Sequence, residues 1–314
     1  MLLNIVLIIV GVILVLWGAD RMTDGAVALA QRMNIPQIVI GLTIVAMGTS
    51  APELFVSLVS AIKGTPDLAV GNVVGSNIFN AMLIVGVAAM VAPMVISKST
   101  VKKDIPFAVL ASVLLAVMTL DKNISRLDAA ILFACFLGFM MYTLKMAKEG
   151  DENSEEEEKK DYSVLKSVCF IALGLACLIG GSNLFVEAAS QVAISLGVSE
   201  AVVGLTVVAG GTSLPELATS VVAARKGKSA IAIGNVIGSN VFNILMILGI
   251  TGLICPMQMQ GITLVDMSVM LISVVMLWFF SFTKFKVERW EGALLTICFV
   301  GYMCKLVLDA ILTA

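Results

Sequence analysis

Glu53 follows Pro52 in the middle of an apolar run, GLTIVAMGTSAPELFVSLVSA, and Glu216 follows Pro215 in a second run, GLTVVAGGTSLPELATSVVAA. A carboxylate at the centre of a hydrocarbon layer costs at least about 2.5–3.5 kcal/mol on insertion scales, so each of these needs a compensating partner. The prolines add a second effect. Proline has no N–H, so the carbonyl four residues earlier, Gly48 or Gly211, is expected to lose its helical bond, and the hydroxyls of Thr49, Ser50, Thr212 and Ser213 weaken the same turn. Inside a bilayer, freed carbonyls are tolerated where they line a protected cavity or bind something.

Oxygen donors recur at helical spacing around these acids. Thr49, Glu53 and Ser57 lie four residues apart on one face, as do Thr212, Glu216 and Ser220; Asn72, Ser76 and Asn80 form a third stripe, and Asn235, Ser239 and Asn243 a fourth. Brought together, the four faces offer carboxylates, hydroxyls, amide oxygens and backbone carbonyls. All are hard donors. They suit Ca²⁺, which takes roughly six to eight flexible oxygen ligands, and accommodate Na⁺; Mg²⁺, which keeps its waters in a tight octahedron, fits less well. Packing accounts for some of the small residues: Gly71, Gly75, Gly234, Gly238, Ser57 and Ser220 read as close helix contacts, and Asn72, Asn77, Asn235 and Asn240 as bonds between helices. The chain has no histidine, and its six cysteines form no close pair of the CxxC kind, so a transition-metal site and a disulfide frame are not expected. No cofactor is expected. No nucleotide motif or nucleophile constellation marks an enzyme.

These residues must be carried by membrane helices. With 59% hydrophobic and 13% charged residues over 314 positions, the chain has too little polar surface to cover a water-soluble globule. The fold class is therefore an all-α integral membrane protein, with the lipid bilayer as its main partner and no nucleic acid. Ten apolar stretches, 2–19, 37–62, 68–93, 104–121, 127–147, 165–184, 200–224, 231–255, 265–283 and 290–310, mostly reach the ~20 residues that span a hydrocarbon core of about 30 Å. The first lacks a basic n-region and reads as a helix, not a secretory signal.

Displacing the chain by 163 residues lays Gly18 on Gly181, Glu53 on Glu216, Asn80 on Asn243, Pro93 on Pro256 and Arg126 on Arg289. Identity is concentrated: 14 of 21 positions match in the two runs quoted above, and 11 of 23 in GNVVGSNIFNAMLIVGVAAMVAP against GNVIGSNVFNILMILGITGLICP. The expected organisation is a first five-helix repeat over 1–147 with its motif block at 41–93, an acidic cytoplasmic linker over 148–164, and a second repeat over 165–314 with its motif block at 204–256. The second and seventh helices are expected to be broken. An odd number of crossings inverts the second repeat relative to the first, as in transporters built from inverted halves. With the N-terminus outside, 16 of the 20 basic residues fall on the inner face and only Lys63, Lys122, Arg126 and Lys305 outside, so both termini are expected outside a cytoplasmic membrane. The EGDENSEEEEKKD stretch reads as a solvated linker; loose calcium sensing is the alternative, without the spaced ligands of an EF-hand. Asp24 and Glu187 read as charges just beyond the first and sixth helices, and Arg126 with Asp128 and Arg289 with Glu291 as helix-end charges.

GTSAPE with GNVVGSNIFN, and GTSLPE with GNVIGSNVFN, resemble the paired repeat motifs of the cation/calcium exchanger superfamily, most closely the prokaryotic sodium/calcium antiporters. The resemblance covers nearly the whole chain. It implies ten helices in two inverted repeats, and Ca²⁺ extrusion driven by Na⁺ entry, with both ions as transported substrates. It implies Glu53 and Glu216 as shared ligands, oxygen ligands from Thr49, Ser50, Thr212, Ser213, Ser76 and Ser239, and backbone carbonyls from Ala46 and Ala209. Asn80 and Asn243 complete the set from the third and eighth helices. Potassium-dependent members, and some archaeal ones, carry aspartate at the Asn243 position, so the resemblance here points away from K⁺ cotransport and leaves two formal negative charges. It further implies that the first and sixth helices slide across a rigid core, for which Gly11, Gly18, Gly174, Gly180 and Gly181 would give close contact. H⁺/Ca²⁺ exchange and a passive cation channel stand as alternatives, and a monomer is expected.

Overall fold

The computed structural model describes residues 1–149, 162–196, 203, 207 and 209–313. Its helices are α1 (Leu2–Met33), α2 (Gln37–Thr49), α3 (Ala51–Ile62), α4 (Pro66–Val91), α5 (Thr100–Asp121), α6 (Arg126–Glu149), α7 (Val164–Ser195), α8 (Ala209–Thr212), α9 (Leu214–Arg225), α10 (Ser229–Ile254), α11 (Leu264–Ser281) and α12 (Arg289–Thr313). Eight continuous helices among the described residues are long and apolar enough to cross a membrane, and the pair α2 and α3, bent by 46°, makes up to nine. Residues 200–202, 204–206 and 208 of the expected 200–224 span, and most of the 148–164 linker, lie outside the described residues.

The chain is a multi-pass membrane protein whose outer helices turn bulky apolar side chains outward. Leu2, Ile5, Ile9, Ile13 and Trp17 on α1 are exposed, as are Leu127, Ile131 and Met141 on α6. In water such a surface would aggregate; against acyl chains it is at rest. The two most buried spans are α4 and α10, and α2, α3, α8 and α9 pack around them.

Small residues fix the crossings. A Cβ on Gly234 would stand 2.9 Å from the Ile38 carbonyl and 3.0 Å from the Gly41 Cα, and one on Gly238 2.7 Å from the Leu42 carbonyl, so α10 lies backbone to backbone on α2. Gly234 and Gly238 therefore act as the expected packing residues. Gly71 and Gly75 have no such contact among the described residues; the run that repeat symmetry would lay against them, 204–208, is largely outside those residues. Two short strand pairs tie the halves together, each strand with one fully buried residue, Met94, Val287, Ile124 or Met257. Met94–Val95 runs antiparallel to Lys286–Val287, and Asn123–Ile124 to Met257–Gln258.

Two expectations about the first and sixth helices are corrected. They do not end near residues 19 and 184 but continue to Met33 and Ser195. Asp24 is thus inside α1, 7% exposed, and its Oδ1 lies 2.7 Å from Lys226 Nζ. A charge that would end a hydrophobic segment is neutralised there by a partner more than 200 positions away. The glycines of these helices also do a different job from the expected one. A Cβ on Gly18 would meet the Gly174 carbonyl at 2.7 Å, one on Gly174 the Gly18 carbonyl at 2.6 Å, and one on Gly11 the Gly181 carbonyl at 2.8 Å. They weld α1 to α7, not to the core. A Cβ on Gly180 would meet nothing within 4 Å among the described residues.

Candidate functional site: a buried pair of carboxylates

Each glutamate sits in the first turn of a half-helix that starts beyond a break. Ser50, with φ −82° and ψ 7°, separates α2 from α3, and Ser213, with φ −91° and ψ 8°, separates α8 from α9. Proline at the second helical position fits there because the first N–H groups of a helix have no intrahelical acceptor in any case. The first turn also favours the carboxylates, since the helix dipole is positive at that end. Glu53 and Glu216 are 0% and 1% exposed.

The hydrogen bonds cross between the halves. Ser50 donates to Glu216 Oε1 at 2.9 Å, and Ser213 donates to Glu53 Oε1 at 3.0 Å. Ser213 Oγ is also 3.3 Å from Ser76 Oγ. The break of one half therefore serves the acid of the other. Thr49 reaches across as well, 3.1 Å from Asn235 Oδ1.

Asn72 and Asn235 hold the two acids by their backbones. Asn235 Nδ2 donates to the Glu216 carbonyl at 3.3 Å and to Ser220 Oγ at 2.9 Å; Asn72 Nδ2 donates to the Glu53 carbonyl at 3.2 Å and to Ser57 Oγ at 3.0 Å. The amide stripes are thus braces as well as candidate donors. At the centre Asn77 donates to the Asn240 carbonyl at 3.3 Å, Asn240 to the Asn77 carbonyl at 3.5 Å, and Asn243 to Asn77 Oδ1 at 3.1 Å. Asn80 and Asn243 lie in wide π turns, Phe79–Ile84 and Phe242–Ile247, of a kind that recurs at functional sites.

A set of buried oxygens is left over. Glu53 Oε2, Glu216 Oε2, Ser239 Oγ, Asn80 Oδ1 and Asn243 Oδ1 have no hydrogen-bond partner among the described residues, and neither do Asn80 Nδ2 and Asn240 Oδ1. Leaving buried polar atoms unpaired costs about 1–3 kcal/mol each, more when charged. The unpartnered oxygens of Glu53, Glu216, Ser239, Asn80 and Asn243 come from four helices and are of the carboxylate, hydroxyl and amide kinds that a hard cation takes. Among the described residues no group of three or more His, Cys, Asp or Glu is placed to hold a metal ion. The charge of the set therefore rests on two carboxylates, and neutral oxygens supply the rest.

The other expected site residues fall as follows. Thr49, Ser50, Ser213 and Ala46 are fully buried at the breaks, Ser76 is 4% exposed on α4, and Thr212 is half-buried at the end of α8. Ala209 opens α8, but its side chain is outside the described residues. The freed Gly48 carbonyl is corrected: backbone N–H groups at the end of α2 reach the carbonyls of both Ala46 and Gly48, because the turn tightens at Ser50. Ser50 N–H lies 3.0 Å from Ala46 O. The Thr49 hydroxyl has one proton and two acceptors, Asn235 Oδ1 at 3.1 Å and Ala46 O at 3.3 Å. Given to the nearer Asn235, that proton leaves Ala46 O a second lone pair.

The sequence marks Lys226 only as an inner-face charge; the signal for its role is the pair of acids, Asp20 and Asp24, one turn apart on the long α1. Asp128 and Glu291 act as helix-end groups, as expected, accepting from the backbone of Ser125 and Glu288.

The chain is similar to known proteins over nearly its whole length. The family model for sodium/calcium exchanger protein matches residues 3–145 and, a second time, residues 166–308. CaxA of Alkalimonas amylolytica is 38% identical over 312 residues, covering 96% of this chain and 98% of that protein. Sodium/calcium exchanger MaX1 of Methanosarcina acetivorans is 31% identical over 343 residues, covering 96% of this chain and 98% of that one. The solved structure of the sodium-calcium exchanger NCX_Mj soaked with 10 mM Na⁺ and zero Ca²⁺ matches with a TM-score of 0.86 at 31% identity, over 97% of this chain and 99% of that chain.

Proposed function

This chain belongs to the sodium/calcium exchanger protein family, and from that premise we propose that it moves Ca²⁺ out of the cell across the cytoplasmic membrane in exchange for entering Na⁺. The observation that carries the reading is the pair of crossed hydrogen bonds, Ser50 to Glu216 and Ser213 to Glu53, which engage one oxygen of each buried carboxylate and leave the other without a partner among the described residues.

Charge and overlap supply the mechanism. Two carboxylates balance one Ca²⁺ or two Na⁺. If both ions use Glu53 and Glu216, they exclude each other, and exchange is obligatory. Ser50, Ser213, Thr49, Thr212, Ser76, Ser239, Asn80 and Asn243, with the carbonyls of Ala46 and Ala209, complete the shells. The empty, doubly charged site resists reorientation because two unneutralised carboxylates would have to stay desolvated; either loaded form reorients. Asn243 in place of an acid keeps the count at two and leaves no third charge to balance K⁺.

The organisation proposed with this reading is ten helices in two inverted repeats, 1–147 and 165–314, with both termini outside and the 148–164 linker in the cytoplasm. The double match of the family model and the reciprocal bonds between residues 163 apart support it. Alternating access of one repeat against the other then follows from the symmetry. The working unit is proposed to be the monomer, since both carboxylates come from one chain.

The test is ⁴⁵Ca²⁺ uptake into proteoliposomes under an imposed Na⁺ gradient with the proton gradient collapsed. Uptake that follows the Na⁺ gradient and stops when it is dissipated supports the reading. Uptake that needs a proton gradient, or that runs without any countertransported ion, would overturn it in favour of H⁺ exchange or a channel.

A further inference from the structure

Lys226 follows the last residue of α9 and turns its ammonium onto α1. Its Nζ lies 2.6 Å from Asp20 Oδ1, 2.7 Å from Asp24 Oδ1 and 3.1 Å from the Asp20 carbonyl. An ammonium has three protons, and α1 provides an acceptor for each. The side chains of Asp24 and Lys226 are 10% and 26% exposed, so this pair is screened less than one on an open surface. Arg21 holds the next position, 3.0 Å from Asp20 Oδ2 and stacked on Trp17 and Phe170. Beside them a cavity of about 400 Å³ is lined by Asp20, Asp24, Val27, Lys226 and Lys228.

The opposite half lacks this contact, although it has most of the residues for it. By the repeat, Lys63 corresponds to Lys226, Asn183 to Asp20 and Glu187 to Asp24. Lys63, Asn183 and Glu187 are all exposed, and among the described residues no ion pair joins Lys63 to Glu187. The helix packing is lopsided in the same sense. α1 packs along α9, whereas α7 has no comparable contact with α3. Since the glycine seam joins α1 to α7 backbone to backbone, the two lean on the α9 side as one body. The half-helices share the asymmetry: Ala218 on α9 is 7% exposed, and its repeat mate Phe55 on α3 is 70% exposed.

We propose that Lys226, Asp20 and Asp24 form a latch that holds the joined α1 and α7 against α9 and closes the path to the carboxylates from the side on which α9 ends. Lys63 and Glu187 are its counterpart for the other side and pair when the α1 and α7 body swings onto α3. The counterpart has one acid where the latch has two, so the latched state is favoured. This inference rests on the exchange reading and on alternating access.

The experiment measures Ca²⁺ half-saturation separately from each face in proteoliposomes of known orientation. Lys226→Gln is expected to move the two constants in opposite directions, each on the order of several-fold, weakening Ca²⁺ on the face that the latched state opens and tightening it on the other. The charge-exchanged pair Lys226→Asp with Asp24→Lys is expected to bring both constants back towards wild type. Should Lys226→Gln fail to accumulate, Asp24→Asn, which leaves Asp20 to hold the ammonium, is expected to give the same opposed shifts at smaller size. Constants that stay put, or that move together, would overturn the latch while wild-type exchange continues. Absence of Na⁺-coupled exchange in the wild type would instead overturn the function on which the latch rests.

Discussion

The hydroxyl of Ser50 lies 2.9 Å from Oε1 of Glu216, a residue of the other half of the chain, and not on the acid three positions along its own helix. The bond is returned by Ser213 to Glu53 at 3.0 Å. Each acid is thus oriented by the break in the opposite half, and neither half contains a complete site.

Replacing either acid should abolish exchange without unfolding the protein. Glu53→Gln or Glu216→Gln keeps the shape and removes one of two charges, for which a loss on the order of 100-fold in Na⁺-driven Ca²⁺ flux is expected. In ion-free detergent the same variants should melt at higher temperature than wild type, because two buried like charges become one. Flux assays and thermal melts on the same preparations check both signs.

The crossed serines should behave as a matched pair. Ser50→Ala and Ser213→Ala each remove one bond to a carboxylate, worth about 1.5–3 kcal/mol, so Ca²⁺ half-saturation should rise by roughly ten- to a hundredfold in each. Unequal effects of more than tenfold would show that the two bonds are not equivalent in use.

Asn235→Ala should destabilise the protein more than Asn72→Ala. Asn235 is fully buried and joins Glu216, Ser220 and Thr49, whereas Asn72 is half-buried. Unpairing the Glu216 carbonyl and Ser220 hydroxyl costs about 1–3 kcal/mol for each group left without a partner, and a thermal shift assay reads the order of the two variants.

Gly18→Ala and Gly174→Ala should each impair folding or transport, since the added methyl carbon would sit 2.7 or 2.6 Å from a backbone carbonyl of the facing helix. Gly180→Ala, with open space around it, is the control and should be silent. Size-exclusion profiles and flux separate the three.

What was legible in the sequence, and what was not, divides along physical lines. A proline and a glutamate side by side in an apolar run, twice, have few explanations in a bilayer, so Glu53 and Glu216 were legible as partners. The four polar stripes were legible from helical spacing alone. Their crossing was not, because Ser50 and Glu216 meet only when the two breaks face one another, a relation no local pattern encodes. The length of α1 was hidden for a related reason. Asp20, Arg21 and Asp24 lower the hydropathy where the helix continues, and the Lys226 that neutralises them belongs to the other half. The glycines of α1 and α7 showed that something packs closely, and only the structure identified the partner.

The most direct test of the central claim is equilibrium Ca²⁺ binding to the purified protein at increasing Na⁺. If Glu53 and Glu216 are ligands shared by both ions, Na⁺ should displace Ca²⁺ competitively, raising the apparent dissociation constant without limit, and Glu53→Gln should weaken both ions together. Ca²⁺ bound undiminished at saturating Na⁺, or retained in full by both the Glu53→Gln and Glu216→Gln variants, would contradict it.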